Sequence, residues 1–389
     1  MPRMKITIQA SDLADMLSVC SMAVSARPLR PINECAYISA RQSDGIPLLT
    51  MLCKDMGVGI QKVSDRVTVQ EDGAALIPAK TLLNFLKLMD GEVTLSVDEK
   101  NQATLKGKGK KCNILCMDGA DFEPGFTEIQ NPHTCTMNGM DYAALVNGVS
   151  HCVSADNNGR MVLTGVYFSF DGTAPQNGAE AVGMDNFRLA ITRRGVETND
   201  TFSALVPGTS AKLVEKIIRG AEEVSFRFGS GVMIAEAYDA AVEVSLLSGE
   251  YMNYKPFTAR NAKLSVKVNT EPLLNALKMA MVSASEGKKG LVSITFLDED
   301  TMQVSALADK SAAVTDVPCM IQGALTNNDG TSAGNQINFN GKYLVEALTV
   351  QQQYGEETLL ECSSAIAPMI FLPVGREDFF QLVLPVRQM

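Results

Sequence analysis

The chain has 389 residues, 46% of them hydrophobic and 20% charged, with a formal net charge of −10. That length exceeds what one hydrophobic core organises, so about two to four globular domains are expected. The acidic balance excludes a protein that wraps nucleic acid by bulk positive charge, although it leaves room for a locally basic surface. No apolar run approaches the roughly 20 residues needed to cross a bilayer, and the first residues lead into no apolar signal segment. The nine cysteines follow no framework spacing and read as reduced, mostly buried thiols. The expected location is the cytoplasm, away from membranes.

In chain order, an alternating segment from Met4 predicts a strand, and the apolar-periodic segment after it predicts a helix ending at Val24-Ser25. Ile77-Pro78-Ala79-Lys80 opens a second helix with Leu82, Phe85 and Leu86 on one face. Proline suits the first turn, where the N–H is unpaired anyway. Glu92 to Val97 then alternates as a strand.

The series restarts at His133 with a strand, a helix ending at Val153-Ser154, and a second helix opened by Val206-Pro207-Gly208. Two strands follow, joined across Gly229-Ser230-Gly231. It restarts again at Lys263 with a helix ending at Val282-Ser283, then a helix opened by Phe339-Asn340-Gly341-Lys342, then strands around Thr358 and Pro368. The Val-Ser pairs recur every 129 residues, and Pro78 and Pro207 are also 129 apart. Pro207 to Asn340 is 133, which fits a small insertion near Asn327-Asn328-Asp329-Gly330. A period this long is a domain, not a short solenoid repeat. The expected fold is α+β, with three repeated domains over 1–130, 131–260 and 261–389. Each has two helices backed by antiparallel sheet.

Catalytic and metal-binding patterns are scarce. The two histidines are His133, at an expected domain boundary, and His151, on the first helix of the second repeat. A helix-face histidine is more often structural than a general base. Cys112 and Cys116 share one face of a strand, but no second Cys/His pair stands near to complete a four-ligand site. Gly334 to Lys342 has six residues between its glycines and Tyr343 after the lysine, so it lacks both the spacing and the hydroxyl of a phosphate loop. It and Gly229-Ser230-Gly231 read as turns. No catalytic residue, metal or cofactor is expected.

The six helices and their ends carry Arg27, Lys80, Lys212, Lys216, Lys278 and Lys342 among their cations. Their balance is mildly positive inside an acidic chain. Three equivalent helix pairs on one arc would give weak, sequence-independent phosphate contact.

Specific stretches in all three repeats resemble the bacterial DNA polymerase III beta subunit, the processivity sliding-clamp family. They are Arg27-Pro28 with Pro31-Ile32, Ile77 to Leu83, Leu163 to Phe168, Met184 to Ala190, Leu247 to Tyr254, Phe339 to Leu344, and the terminal Leu384-Pro385-Val386-Arg387. The resemblance implies a homodimer joined head to tail into a ring around duplex DNA, with helices lining the hole and sheets outside. It implies a clamp loader, the replicative DNA polymerase and other clamp-motif proteins as partners. It sets Arg27 first among the DNA contacts and puts Ile114, Met281 and Val282 in the dimer contact.

The resemblance also implies a partner-peptide pocket, with Leu163, Met184, Asn186, Arg188 and Leu189 on one side. Met252, Phe257, Asn340, Tyr343, Val383, Leu384, Pro385, Val386 and Arg387 complete it. Arg188, Asn340 and Arg387 would hold the peptide's polar groups. The family usually has Thr-Asp-Gly-His-Arg-Leu where this chain has Met184-Asp185-Asn186-Phe187-Arg188-Leu189. It usually has proline at the place of Met252, and a terminal Arg-Leu where this chain ends Arg387-Gln388-Met389. A divergent paralogue with fewer partners, a β-rich scaffold and an enzyme with an unrecognised site are the competing readings.

Overall fold

The computed structural model describes residues 4–25, 30–155, 160–173, 178–198, 200–286, 290–325 and 334–387. The first stretch runs β1 (Met4–Gln9), α1 (Ala10–Cys20), β2 (Cys35–Ser43), β3 (Ile46–Asp55), β4 (Val58–Ser64), β5 (Thr68–Glu71), β6 (Gly73–Pro78), α2 (Ala79–Leu86), β7 (Glu92–Val97), β8 (Gln102–Gly107) and β9 (Lys110–Leu115). The second runs β10 (His133–Met137), α3 (Gly139–Val149), β11 (Gly165–Asp171), β12 (Gly178–Met184), β13 (Arg188–Gly195), β14 (Phe202–Pro207), α4 (Gly208–Ile218), β15 (Val224–Gly229), β16 (Val232–Glu236) and β17 (Ala240–Ser245). The third runs β18 (Leu264–Asn269), α5 (Thr270–Glu286), β19 (Leu291–Phe296), β20 (Thr301–Leu307), β21 (Ala312–Gly323), β22 (Gln336–Asn340), α6 (Gly341–Gln351), β23 (Glu357–Cys362), β24 (Met369–Pro373) and β25 (Phe379–Val383). The fold is mixed, with antiparallel sheets and few helices, and the order strand, helix, strands, helix, strands recurs along the three stretches.

Contacts group the chain into two compact units. The first holds Met1–Met140, Glu197–Asp200 and Leu213–Leu246; the second holds Asp141–Val196, Thr201–Lys212 and Leu247–Met389. Among the described residues, the first unit contains a sheet ordered β5-β1-β7-β8-β9 and another ordered β10-β15-β16-β17-β4-β3-β2-β6. The second contains the sheet β14-β11-β12-β13-β25-β24-β23-β18-β21-β20-β19-β22.

Local chemistry explains the elements. β1 buries Met4, Ile6 and Ile8 on one side, the period-two pattern of a half-buried strand. On α5, Leu273, Leu274, Leu277, Ala280 and Ala284 are buried, the apolar stripe of a core-facing helix. They pack with Phe339, Leu344, Leu348 and Phe371 in one cluster of the second unit. Pro78 is the residue before α2 and Pro207 the residue before α4. At the third equivalent place Asn340 caps α6, its Oδ1 accepting from the Lys342 N–H at 3.1 Å, as N-cap chemistry requires. Gly341 has no room for a side chain, because a Cβ there would stand 2.4 Å from Met281 Sδ and 2.5 Å from Val292 Cγ2.

Three expectations need correction. α1 and α3 stop before their Val-Ser pairs, but α5 runs through Val282-Ser283 to Glu286. Ala284 continues its buried stripe, so nothing terminates the helix there. His151 lies on a 3₁₀ turn (Ser150–Cys152) after α3. The segment from Gly334 is a strand entering a helix, β22 into α6, because Ile337 and Phe339 alternate into the core. Gly229-Ser230-Gly231 is the expected turn, with all three residues at positive φ.

Candidate functional site

β12 ends at Met184 and β13 begins at Arg188, so Asp185 to Phe187 form the connecting turn. Asp185 locks it. Its Oδ1 accepts the Phe187 N–H at 2.7 Å and the Arg188 N–H at 2.9 Å, and its backbone N–H donates to the Arg188 carbonyl at 3.1 Å. Aspartate is suited to this because its short carboxylate reaches backbone donors two and three residues ahead. β25 pairs beside β13, with Arg188 opposite Val383, and the Leu384 N–H extends the ladder to the Phe187 carbonyl at 2.8 Å.

This arrangement leaves a cavity of about 230 Å³. Met184, Leu189 and Leu382 are buried lining residues, while Asn186, Met252 and Leu384 are exposed ones and Arg160 and Pro368 complete the wall. Phe187 and Phe257 also line it and are 51% and 49% exposed. Large apolar side chains gathered around one concavity mark a binding site more strongly than the same residues scattered singly.

Strand alternation decides what the tail contributes. Leu382 and Leu384 face the cavity, whereas Val383 points to the opposite side, into the core around Leu344 and Phe339. Pro385 and Val386 are half-buried, the Val386 N–H donating to the Asn338 carbonyl at 2.7 Å, and Arg387 is exposed. Leu163 does not line the cavity but stands behind it, in a cluster with Val182, Leu189 and Ile191.

Arg188 differs from the expected free polar anchor. Its side chain is only 9% exposed, its Nε donates to Asp185 Oδ2 at 3.0 Å, and its Nη1 donates to the Glu346 carboxylate on α6. Its Cζ lies 4.3 Å from the Tyr343 ring centroid. Burial opposes the charge, but Glu346 and Asp185 outweigh it and hold the guanidinium above its ordinary pKa. The arginine therefore braces the turn against α6. Asn340 Oδ1 is likewise committed, to the α6 cap. Tyr343 stacks on Phe187 with ring centroids 6.0 Å apart, and burial raises its hydroxyl pKa.

Sequence reasoning placed Asp185 and Phe187 in the pocket's stretch without giving them a role, and it missed Glu346, Arg160, Pro368 and Leu382 as site residues. Leu382 was recoverable from its period-two relation to Leu384. Glu346 had no local signal, because it meets Arg188 across 158 residues of chain.

Of the expected DNA contacts, Lys80, Lys212, Lys216, Lys278 and Lys342 are exposed on α2, α4, α4, α5 and α6; Arg27 lies outside the described residues. Lys342 stands 3.8 Å from Glu346. Of the expected dimer contacts, Val282 is exposed and Met281 is half-buried against its own core. Ile114 is 5% exposed and faces its own core from the edge strand β9, while the neighbouring Leu115, 73% exposed, faces outward.

The two histidines sit in different surroundings. His133 Nδ1 stands 3.5 Å from Asp200. His151 Nε2 meets Gln381 Oε1 at 3.1 Å, and burial, then the positive charge of Arg188, push its pKa down to about 3. Among the described residues no group of three or more His, Cys, Asp or Glu side chains is arranged to hold a metal, and burial raises the Cys135 thiol to about 12. No helix among them is long and apolar enough to cross a membrane.

Comparison with known proteins gives the context for this cavity. Residues 4–125 match the N-terminal domain of the DNA polymerase III beta subunit, and residues 136–253 match its central domain. The beta sliding clamp of Synechocystis sp. is 25% identical over 409 residues, covering 99% of each chain. That of Bacillus subtilis is 24% identical over 398 residues, covering 99% of this chain and 100% of its own. The crystal structure of the Bacillus subtilis DNA polymerase sliding clamp superposes with a TM-score of 0.89 at 22% identity, covering 100% of both chains. A DNA polymerase III beta subunit structure from Eubacterium rectale gives 0.87 at 22% identity, covering 99% of this chain and 100% of its own. The two domain matches together take up well over half of the sequence, and the chain belongs to the DNA polymerase III beta subunit family of sliding clamps.

Proposed function

We propose that two copies of this clamp close head to tail around duplex DNA and tether the replicative polymerase and other DNA-handling proteins to it without catalysing a reaction. The observation that carries this reading is the apolar cavity of about 230 Å³ beside Leu384, on a chain that matches beta sliding clamps from end to end. Its buried floor and exposed aromatic lip suit a short extended peptide with a bulky apolar anchor. The named Bacillus subtilis relative is a DNA polymerase sliding clamp, and this chain is read as doing the same work, loaded by a clamp loader in the cytoplasm.

The element order supports three domains, at 1–130, 131–260 and 261–389, and the domain matches end near the first two of these boundaries. A heterologous contact closes after two copies when each supplies half a ring. Two unlike edges fit that contact. β9 ends the first unit's smaller sheet and carries the exposed Leu115. In the second unit, β21 has β20 as its strand neighbour over Ala312–Pro318, and the exposed Val314 lies on that half. The exposed lysines of α2, α4, α5 and α6, with Arg27, are read as weak phosphate contacts.

The test is retention on DNA. After loading on a nicked circle the protein should stay bound, and it should leave when the circle is linearised, with a native mass of twice the chain. A monomer at micromolar concentration, or equal retention on both forms, contradicts the reading.

A further inference from the structure

Beside the main cavity lies a second one of about 110 Å³. The two share Phe257 and Pro368 as lining residues, so they adjoin across a common ridge. The far side of the ridge is lined by Ala262, Cys362 and Ile370, with Asn261 at the opening. Cys362 and Ile370 are nearly inaccessible. The one charged lining group is Glu361, and it is neutralised: Arg260 Nε donates to its Oε2 at 2.8 Å and Nη2 to its Oε1. The compartment is thus small, apolar at its floor and charge-balanced at its edge. A charged occupant would find no unpaired counter-charge there, and a bulky one would not fit.

We propose that this compartment is a second subsite for the same partner peptide, taking a small aliphatic side chain such as valine two residues from the anchor that fills the main cavity. The spacing follows from extended backbone, in which every second side chain points the same way about 7 Å apart, a step that matches adjacent compartments sharing one wall. This subsite rests on the peptide-groove reading above. It adds a size and polarity requirement on the partner at a position outside the anchor.

Fluorescence anisotropy tests it with three heptapeptides: Gln-Leu-Ser-Leu-Phe-Ser-Ser as reference, Gln-Leu-Val-Leu-Phe-Ser-Ser and Gln-Leu-Ser-Leu-Phe-Ser-Val. One of the valine peptides should bind roughly fivefold tighter than the reference, the scale of burying one small aliphatic side chain. The variant Ala262→Leu fills the compartment from an exposed position, so its thermal midpoint should stay the same. It should erase the valine gain and leave the reference affinity unchanged. Equal affinities for all three peptides on the unmodified protein, or a gain that persists in Ala262→Leu, overturns the subsite while the main cavity stands. Failure of the reference peptide to bind overturns the peptide-groove reading and the subsite with it.

Discussion

Two polar clusters sit along the same pair of strands, and they solve burial in opposite ways. At the cavity end of the β13–β25 ladder, where Arg188 faces Val383, the chain keeps a full charge and surrounds it with Asp185, Glu346 and the Tyr343 ring. Two residues further in, where Ala190 faces Gln381, the chain keeps everything neutral. Gln381 Nε2 donates to the Ala347 carbonyl and to Gln351 Oε1, both at 3.0 Å, leaving its Oε1 to accept from His151 Nε2. That fixes the tautomer, and His151 Nδ1 is then a buried acceptor without a hydrogen-bond partner among the described residues. Charge is kept where a counter-charge and a solvent edge are available. In the interior, burial and then the positive charge of Arg188 work against a charged imidazole.

The largest break in this contrast is Arg188→Met. It leaves the Glu346 and Asp185 carboxylates without their shared cation, and removing one member of a buried pair costs about 3 kcal/mol. Urea denaturation should show that loss, and Arg188→Lys should recover only part of it, since lysine cannot span two carboxylates with a planar fork. An unchanged denaturation midpoint in Arg188→Met would mean that the arginine does not brace the turn.

Next in size is Leu384→Asp, which places a carboxylate on the apolar wall of the cavity. Peptide affinity should fall roughly a hundredfold, about 2.7 kcal/mol. The loss of stability should be smaller than that of Arg188→Met, because Leu384 is 36% exposed and lies beyond the end of β25. Comparing this variant with Arg188→Met separates the surface that binds from the cluster that holds it.

The neutral cluster costs nothing near neutral pH, and its effect appears only on acidification. His151 titrates near 3 in the folded chain and near 6.5 unfolded. Between those values the unfolded chain binds the extra proton, so stability is complete above about pH 6.5 and falls as pH drops toward 3, by up to about 1.4 kcal/mol per pH unit. His151→Gln keeps a donor for Gln381 and removes the titration. Its thermal midpoint should fall less steeply from pH 6.5 to 4 than that of the unmodified protein, and parallel curves would assign the acid lability elsewhere.

The exposed lysines stand outside both clusters and should matter least. Lys212→Ala or Lys216→Ala should weaken direct binding to linear duplex by less than about threefold and change the salt slope by under one unit. Retention on circular DNA should not change.

How much of this was legible depends on how local the cause was. The strand-helix openings at Pro78, Pro207 and Asn340 could be read because proline and capping asparagine act on the next few residues. The resemblance marked Met184 to Leu189 and the terminal Leu384 as parts of one site, and seven of its residues do line the cavity. It could not fix faces. Ile114 and Leu115 differ by one position on β9, and that one-residue step turns the side chain from core to solvent. Val383 failed as a lining residue for the same reason, between Leu382 and Leu384. The commitment of Arg188 to Glu346 was hidden because the partners meet only after the third stretch has folded against β13. The extension of α5 past Val282-Ser283 was missed because a repeat landmark was read as a stop signal, although Ala284-Ser285-Glu286 contains no helix breaker.

The most direct measurement asks whether tethering and encirclement are separable properties of one chain. Leu384→Asp should be assembled on a nicked circle without a clamp loader, so that no partner has to dock in the cavity, and assayed for retention and for peptide binding in the same preparation. The account predicts retention equal to that of the unmodified clamp, with peptide binding reduced roughly a hundredfold. Peptide binding that survives intact would contradict the assignment of the cavity beside Leu384 as the partner site.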